Sequence, residues 1–221
     1  MKSIAGSLDT KPPEWRTSES LVPYQQAQAE MDSRVEAILS GASSDLIWLL
    51  QHPPLYTAGT SASSSDLLEP DRFPVIRVGR GGKHTYHGPG QRVIYAMMDL
   101  TKQDRDLKAH VWRLEEWIIR TLAHFDVKAE RRQGRIGVWV DVAGQDKKIA
   151  AIGVRARRWV TSHGLALNVS PNLSHFGGIV PCGIQEYGVT SLHALGRNVS
   201  LAEVDAAFEE EYPRIFFPSD H

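Results

Sequence analysis

The sequence lacks the features that mark several classes of protein. It has one cysteine, Cys182, and therefore cannot form an internal disulfide. Its uninterrupted apolar stretches, such as LIWLL at residues 46–50, are about five residues long, whereas a membrane-spanning helix needs about 20. The first 20 residues contain no apolar run of the length found in signal peptides. We therefore expect a cytoplasmic chain that has no membrane partner.

The sequence also lacks an excess of charge of either sign. It carries 25 Lys and Arg residues against 26 Asp and Glu residues, and 42% of its 221 residues are hydrophobic. This balance is typical of a globular protein and argues against a basic surface that binds nucleic acid. The length fits one domain, so we expect a single domain over residues 1–221, with residues 1–20 as a flexible N-terminal extension.

Three helices are predicted. Apolar residues at three- and four-residue steps indicate amphipathic helices over residues 22–39 and 104–125. Either Asp104 or Asp106 can serve as the N-cap of the second helix. Ser200 and Glu203 have the spacing of a capping box, which predicts that the last helix begins there.

Short apolar runs and alternating patterns predict the strands. They cover residues 45–51, 74–78, 93–100, 136–142, 147–157 and 159–169. The last three follow one another with short turns, as in an antiparallel meander. The order of helices and strands predicts an α+β fold with a mixed, largely antiparallel sheet and flanking helices.

The segment RGGKHTYHGPGQ, residues 80–91, lies between two predicted strands and is poor in apolar side chains. Its glycines can leave backbone N–H groups uncovered and allow the chain to approach a ligand closely. A glycine-rich hairpin turn explains the same composition. The spacing matches neither a Walker nor a Rossmann motif, and the repeats of an RGG-type RNA contact are absent.

Cys182 lies between a proline and a glycine, so an irregular turn is expected around it. A lone cysteine is either a buried apolar residue or a nucleophile. A nucleophilic thiol needs a partner because its free pKa is about 8.5, and the candidates are His84, His87, His163 or a lysine. Of Lys147 and Lys148, which are adjacent on a strand, only one can face a given pocket.

Five motifs together resemble the octanoyltransferases of lipoate biosynthesis. In chain order they are residues 51–59 (QHPPLYTAG), 80–91 (RGGKHTYHGPGQ), 148–155 (KIAAIGVR), 163–169 (HGLALNV) and 181–183 (PCG). The resemblance covers most of the chain, from about residue 47 to 192. It implies a fold similar to the catalytic domain of biotin and lipoate protein ligases.

The resemblance implies a two-step acyl transfer. Cys182 would accept octanoyl from octanoyl-acyl carrier protein as a thioester, and Lys148 would lower the pKa of Cys182 and act as general acid and base. The acceptors would be lipoyl domains of 2-oxo-acid dehydrogenase subunits and the glycine-cleavage H protein. No cofactor or metal is implied beyond the phosphopantetheine of the carrier protein, and we expect a monomer. Cys182 and Lys148 should titrate as one unit.

The resemblance also assigns a substrate pocket. Its residues are Arg80, Gly81, Gly82, Lys83, His84, Thr85, Tyr86, His87, Ala151, Ile152, Gly153, Gly164, Leu165 and Ala166. The small residues among them would leave room for the octanoyl chain, although close packing of strands would need small residues too.

Two other functions compete. An ATP-dependent lipoate or biotin protein ligase would share the fold and need no covalent cysteine. A catalytically silent protein that binds lipoyl domains or acyl carriers would need neither Cys182 nor Lys148. A papain-like set of Cys182, His163 and Asn168 is disfavoured, since His163 and Asn168 are spaced along one strand.

Overall fold

The computed structural model describes residues 12–180 and 188–217. Three α-helices and eleven strands lie within these ranges. They are β1 (Glu14–Leu21), α1 (Tyr24–Leu39), β2 (Leu46–Gln51), β3 (Leu55–Ala58), β4 (Val75–Arg77), β5 (His84–His87), β6 (Gln91–Met97), α2 (Leu107–Ala123), β7 (Glu130–Arg132), β8 (Arg135–Val142), β9 (Gln145–Arg157), β10 (Val160–Asn168), β11 (Gly188–Val189) and α3 (Leu201–Phe216).

Within the described residues, eight strands form one sheet. The order is β1-β2-β6-β10-β9-β8-β7, and β11 pairs with the start of β9. Strands β8, β9 and β10 are antiparallel neighbours, which confirms the predicted meander. Strands β1 and β2 run parallel. The sheet is therefore mixed, and the predicted α+β class is confirmed.

A second, smaller sheet has the order β4-β3-β5. Its strand β5 lies inside residues 80–91, where the sequence pattern predicted no strand, so that prediction is wrong. Strand β5 pairs antiparallel with β3, from Leu55 opposite His87 to Ala58 opposite His84. The chain then passes directly into β6 of the large sheet. The glycine-rich segment therefore connects two sheets.

The helices cover both faces of the large sheet. Helix α1 buries Met31 and Val35 on one face, and α2 and α3 pack together on the other. Asp106 is the N-cap of α2, where its side chain accepts from two backbone N–H groups, and Ser200 and Glu203 form the predicted capping box of α3. None of the helices in residues 12–180 and 188–217 is long and apolar enough to cross a membrane.

The N-terminal prediction needs correction. Residues Glu14–Leu21 form β1 at the edge of the large sheet, in register with β2 from Glu14 opposite Leu46. Trp48 of β2 donates its indole N–H to Ser18, and Arg16 lies over the Trp48 ring at 3.9 Å. The expected flexible extension is thus wrong for residues 14–20, while residues 1–11 lie outside the described part of the chain.

Trp117 of α2 provides a test of the core between the helices and the sheet. It is fully buried, donates to the Phe208 carbonyl at 2.8 Å and contacts Tyr212 edge-on. We expect Trp117→Ala to lower the free energy of unfolding by roughly 3–5 kcal/mol, because it leaves a large cavity. Trp112 on the same helix is 52% exposed, and Trp112→Ala should cost less than about 1 kcal/mol. Urea denaturation measures both, and equal losses would contradict this description of the core.

Candidate active site

A cavity of about 420 Å³ lies where residues 80–87 cross the large sheet. This volume is within the roughly 300–1,000 Å³ range of small-molecule sites. Every residue predicted to bind substrate except Tyr86 lines the cavity, namely Arg80, Gly81, Gly82, Lys83, His84, Thr85, His87, Ala151, Ile152, Gly153, Gly164, Leu165 and Ala166. Lys148 lies in the same wall, whereas Lys147 does not. The structure thus brings these predicted residues together, and their role in binding stays a prediction.

Arg80 is buried and holds the segment that contains it. Its Nη1 donates to the carbonyls of Gly81 and Lys83 at 2.9 and 3.1 Å, and its Nη2 donates to the carbonyl and hydroxyl of Thr57 at 3.0 and 2.6 Å. A Cβ at Gly153 would lie 2.8 Å from Arg80 Cδ. The small size of Gly153 therefore makes room for Arg80.

Two further glycine predictions need correction. The N–H groups of Gly81 and Gly90 are not bare, because they donate to the Val154 carbonyl at 3.0 Å and to Gln51 Oε1 at 2.8 Å. A Cβ at Gly164 would lie 2.3 Å from the carbonyl oxygen of Ile94. Gly164 thus permits close packing of β10 on β6, which explains its small size without a ligand.

Tyr86 faces away from the cavity. Its hydroxyl lies 2.7 Å from His175 Nδ1, and its ring packs against Tyr56 and Phe176. A Cβ on Gly88 would lie 1.9 Å from the Tyr86 hydroxyl oxygen. The placement of Tyr86 in the pocket was wrong because β5 alternates, so that Tyr86 and its neighbour His87 point to opposite sides.

Three buried histidines, namely His52, His87 and His163, form hydrogen bonds at the cavity, and His87 and His163 line it. His52 Nδ1 lies 2.6 Å from the Val22 carbonyl oxygen. A carbonyl can only accept, so Nδ1 is the donor, and Nε2 accepts from the Tyr95 hydroxyl at 2.7 Å. His163 Nε2 lies 3.0 Å from the Tyr24 hydroxyl. Burial lowers the pKa of His52 and of His163 to about 4. These two side chains are therefore neutral at neutral pH.

His87 begins a chain of hydrogen bonds that reaches β9. Its Nδ1–H donates to Gln91 Oε1 at 2.7 Å, Gln91 Nε2 donates to Asn168 Oδ1 at 2.9 Å, and Asn168 Nδ2 donates to the Thr190 carbonyl at 3.0 Å. The Thr190 N–H donates to the Lys148 carbonyl at 2.9 Å. Burial lowers the pKa of His87 to about 3. His87 is thus held as a neutral ring whose Nε2 is an acceptor.

Lys148 is the buried lysine of the pair on β9, with 6% of its surface exposed. Its Nζ donates to the Ile136 carbonyl at 2.9 Å and lies 4.6 Å from the centre of the Trp139 ring. Strand β11 pairs with β9 at this point, with Val189 opposite Lys148. The prediction that one lysine of the pair faces the pocket is confirmed.

Cys182 lies outside the described residues. The chain on either side is held in place, since the Val180 N–H donates to the Asp66 carbonyl at 2.7 Å and Gly188 pairs with Lys147.

Comparisons with known proteins agree with the resemblance. The profile of the lipoyl protein ligase A/B catalytic domain matches residues 23–213. A protein of Paramagnetospirillum magneticum named octanoyltransferase is 59% identical over 93% of this chain and 97% of its own. Another of Brucella melitensis with the same name is 55% identical over 95% of this chain and 83% of its own. The chain belongs to the octanoyltransferase family. It is an acyltransferase that functions in protein lipoylation.

Solved structures show that this chain shares its fold with lipoate protein ligases. A bipartite lipoate protein ligase of Thermoplasma acidophilum has a TM-score of 0.70 at 16% identity, over 92% of this chain and 83% of its own. A lipoate-protein ligase A bound with ATP has a TM-score of 0.69 at 17% identity, over 91% and 85% of the two chains. At this identity the likeness concerns the fold, and the fold expected from the resemblance is confirmed.

Sequence reasoning missed several cavity residues of this octanoyltransferase. They are Tyr24, Val93, Tyr95, Leu107, Val111, Gly134, Arg135, Ile136, Trp139 and Val154. Leu107 and Val111 are among the apolar residues whose spacing predicts α2, and such a stripe is expected to pack in the core. Ile136 is 59% exposed in the structure. The sequence signal for this cavity residue was an apolar side chain at the start of a predicted strand.

The neutral histidines predict how stability depends on pH. In the unfolded chain a histidine has a pKa of about 6.5, whereas that of folded His52 is about 4. Between these values the unfolded state binds more protons, so the free energy of unfolding falls as pH falls from 6.5, by at most about 1.4 kcal/mol per pH unit for each such histidine. His52→Gln should flatten this slope in urea denaturation between pH 7.5 and 5. Exposed His193 is the control, and an equal effect of His193→Gln would contradict the assignment.

Proposed function

We propose that this octanoyltransferase takes octanoyl from octanoyl-acyl carrier protein, carries it as a thioester on Cys182 and transfers it to the lysine ε-amine of lipoyl domains. The acceptors are lipoyl domains of 2-oxo-acid dehydrogenase subunits and the glycine-cleavage H protein. The observation that carries the proposal is the position of Lys148, whose amine is buried in the cavity wall next to β11. Strand β11 begins six residues after Cys182.

In the first step, the Cys182 thiolate attacks the carbonyl carbon of the octanoyl thioester. The bond from that carbon to the phosphopantetheine sulfur breaks, and the leaving thiolate takes a proton from the Lys148 ammonium. The products are the octanoyl-Cys182 thioester, free phosphopantetheine thiol on the carrier protein and a neutral Lys148 amine. One thioester replaces another, so the step is close to balanced and needs no ATP.

In the second step, the neutral ε-amine of the acceptor lysine attacks the octanoyl-Cys182 carbonyl. Lys148 takes the proton that the attacking amine loses, and Cys182 leaves as a thiolate. The starting pair of thiolate and ammonium is thereby restored. Formation of an amide from a thioester runs downhill and drives the transfer.

The cavity supports this assignment through its shape and its lining. Ile152, Leu165 and Val111 present apolar side chains that suit an octanoyl chain. Gly81, which donates to Val154, fixes the segment above them. We propose that the cavity residues predicted from the resemblance, other than Tyr86, bind the acyl-phosphopantetheine arm, and that no further cofactor takes part.

Intact-mass measurement after incubation with octanoyl-acyl carrier protein tests the proposal. We expect the parent to gain the mass of one octanoyl group and Cys182→Ala to gain none. Lys148→Ala should lower transfer to a lipoyl domain by roughly 10²–10⁴-fold, the usual contribution of a general acid and base. Lys147→Ala is the matched control, because Lys147 is adjacent on β9 but outside the cavity, and it should behave like the parent.

Two results would overturn the proposal. Full transfer by Cys182→Ala would exclude the thioester, and if it also required ATP it would favour the ligase mechanism. Activity of Lys148→Ala equal to that of Lys147→Ala would remove the assigned role of Lys148.

A further inference from the structure

The carbonyl that holds Lys148 belongs to a peptide that is fixed at both ends. Lys148 Nζ donates to the Ile136 carbonyl at 2.9 Å. The N–H of the same peptide unit, which is that of Gly137, donates to Glu115 Oε1 at 3.0 Å. Because the peptide unit is planar and its carbonyl and N–H point in opposite directions, the position of Glu115 determines where the carbonyl points.

The backbone at Gly137 is suited to this arrangement. Its φ of 114° lies in a region that favours glycine, and the register between β8 and β9 shifts between Val138 and Trp139. A Cβ at Gly137 would lie 2.7 Å from the Ala150 carbonyl oxygen and 3.3 Å from both Cε and Nζ of Lys148. Glycine therefore allows the peptide to turn and leaves space for the lysine.

Glu115 is itself held firmly. It lies on α2 with 8% of its surface exposed, and its second oxygen accepts from Arg131 Nε at 3.1 Å. Arg131 also donates to Glu116 at 2.9 Å and lies over the Trp112 ring at 4.3 Å. A buried carboxylate is costly unless it is paired and hydrogen-bonded, and both oxygens of Glu115 have such partners.

We propose that Glu115 is a positioning residue for Lys148. By fixing the Gly137 N–H, it aims the Ile136 carbonyl at Nζ and holds the amine in one place in the cavity wall. A lysine side chain otherwise samples many rotamers, and it loses this freedom when it is fixed. This inference rests on the proposed role of Lys148 in proton transfer.

Two variants distinguish the effect of the position of the Glu115 side-chain oxygen from the effect of its charge. Glu115→Asp keeps the charge but withdraws the acceptor by one methylene, whereas Glu115→Gln removes the charge and keeps an oxygen in place. In Glu115→Gln we expect the amide oxygen to face Gly137, because the Gly137 N–H is fixed in the backbone while Arg131 can still pair with Glu116. Glu116→Asp is the matched control, since Glu116 also binds Arg131 but has no bond to Gly137.

Steady-state transfer to a lipoyl domain gives the first readout. We expect Glu115→Asp to lower kcat by roughly 10-fold or more, because misplacement of a catalytic group by about 1 Å can cost up to 100-fold, with KM for the acyl donor changed by less than about 2-fold. Glu115→Gln and Glu116→Asp should stay within about 3-fold of the parent. A fall in Glu115→Gln equal to that in Glu115→Asp would overturn the proposal, and so would parent activity in Glu115→Asp.

Alkylation of Cys182 by iodoacetamide gives the second readout, which is unambiguous because the chain has one cysteine. A well-placed Lys148 ammonium favours the reactive thiolate, so Glu115→Asp should slow alkylation at neutral pH and Glu115→Gln should not. Loss of a nearby negative charge would instead speed alkylation. If both variants react faster than the parent, or if both match it, the positioning role is excluded.

The same alkylation measurement on Glu115→Asp in a Lys148→Ala variant distinguishes failure of this inference from failure of the proposed function. If Glu115 acts through Lys148, Glu115→Asp should not slow alkylation further once Lys148 is absent, and an equal further slowing would overturn the inference. If Lys148→Ala alone matches the parent in alkylation and transfer, the proposed function fails instead.

Discussion

The candidate site depends on how the Lys148 amine is buried. An ammonium group taken out of water is stable only where other groups replace its hydration. The Ile136 carbonyl and the face of the Trp139 ring do so here. Both lie on β8, on either side of the point where its register with β9 shifts. The irregular pairing of these two strands is therefore the feature that places two partners of the amine in the cavity wall.

His87, which also lines the cavity, is held by side chains that carry no charge at neutral pH. His87, Gln91 and Asn168 form one chain of hydrogen bonds, and burial lowers the pKa of His87. The chain ends at Thr190, whose N–H is bonded to the Lys148 carbonyl. The glycine-rich segment and the strand of the buried lysine are thus linked through hydrogen-bonded polar side chains, which favours a single arrangement of the site.

The sequence predicted the elements whose signals are local. The stripe of α2, its Asp106 cap, the capping box of α3 and the meander all depend on neighbouring residues, and the structure confirms them. Strand β1 was missed because it is a largely exposed edge strand with few apolar residues. The contact of Glu115 with Gly137 could not be predicted, since Glu115 is one of many charged residues on an amphipathic helix and its partner is 22 residues away. Family motifs were needed to single out Lys148.

The glycines of the cavity show that small residues in a motif do not by themselves indicate space for a ligand. Arg80 fills the room that Gly153 leaves, and the β6 backbone fills the room at Gly164. The space instead arises from the way residues 80–87 cross the sheet, with the Gly81 N–H tied to Val154 and Arg80 bonded to Thr57. Larger side chains such as Val111, Ile152 and Leu165 then bound it. The limit on acyl chain length should accordingly be determined by these branched side chains and by the position of the crossing segment.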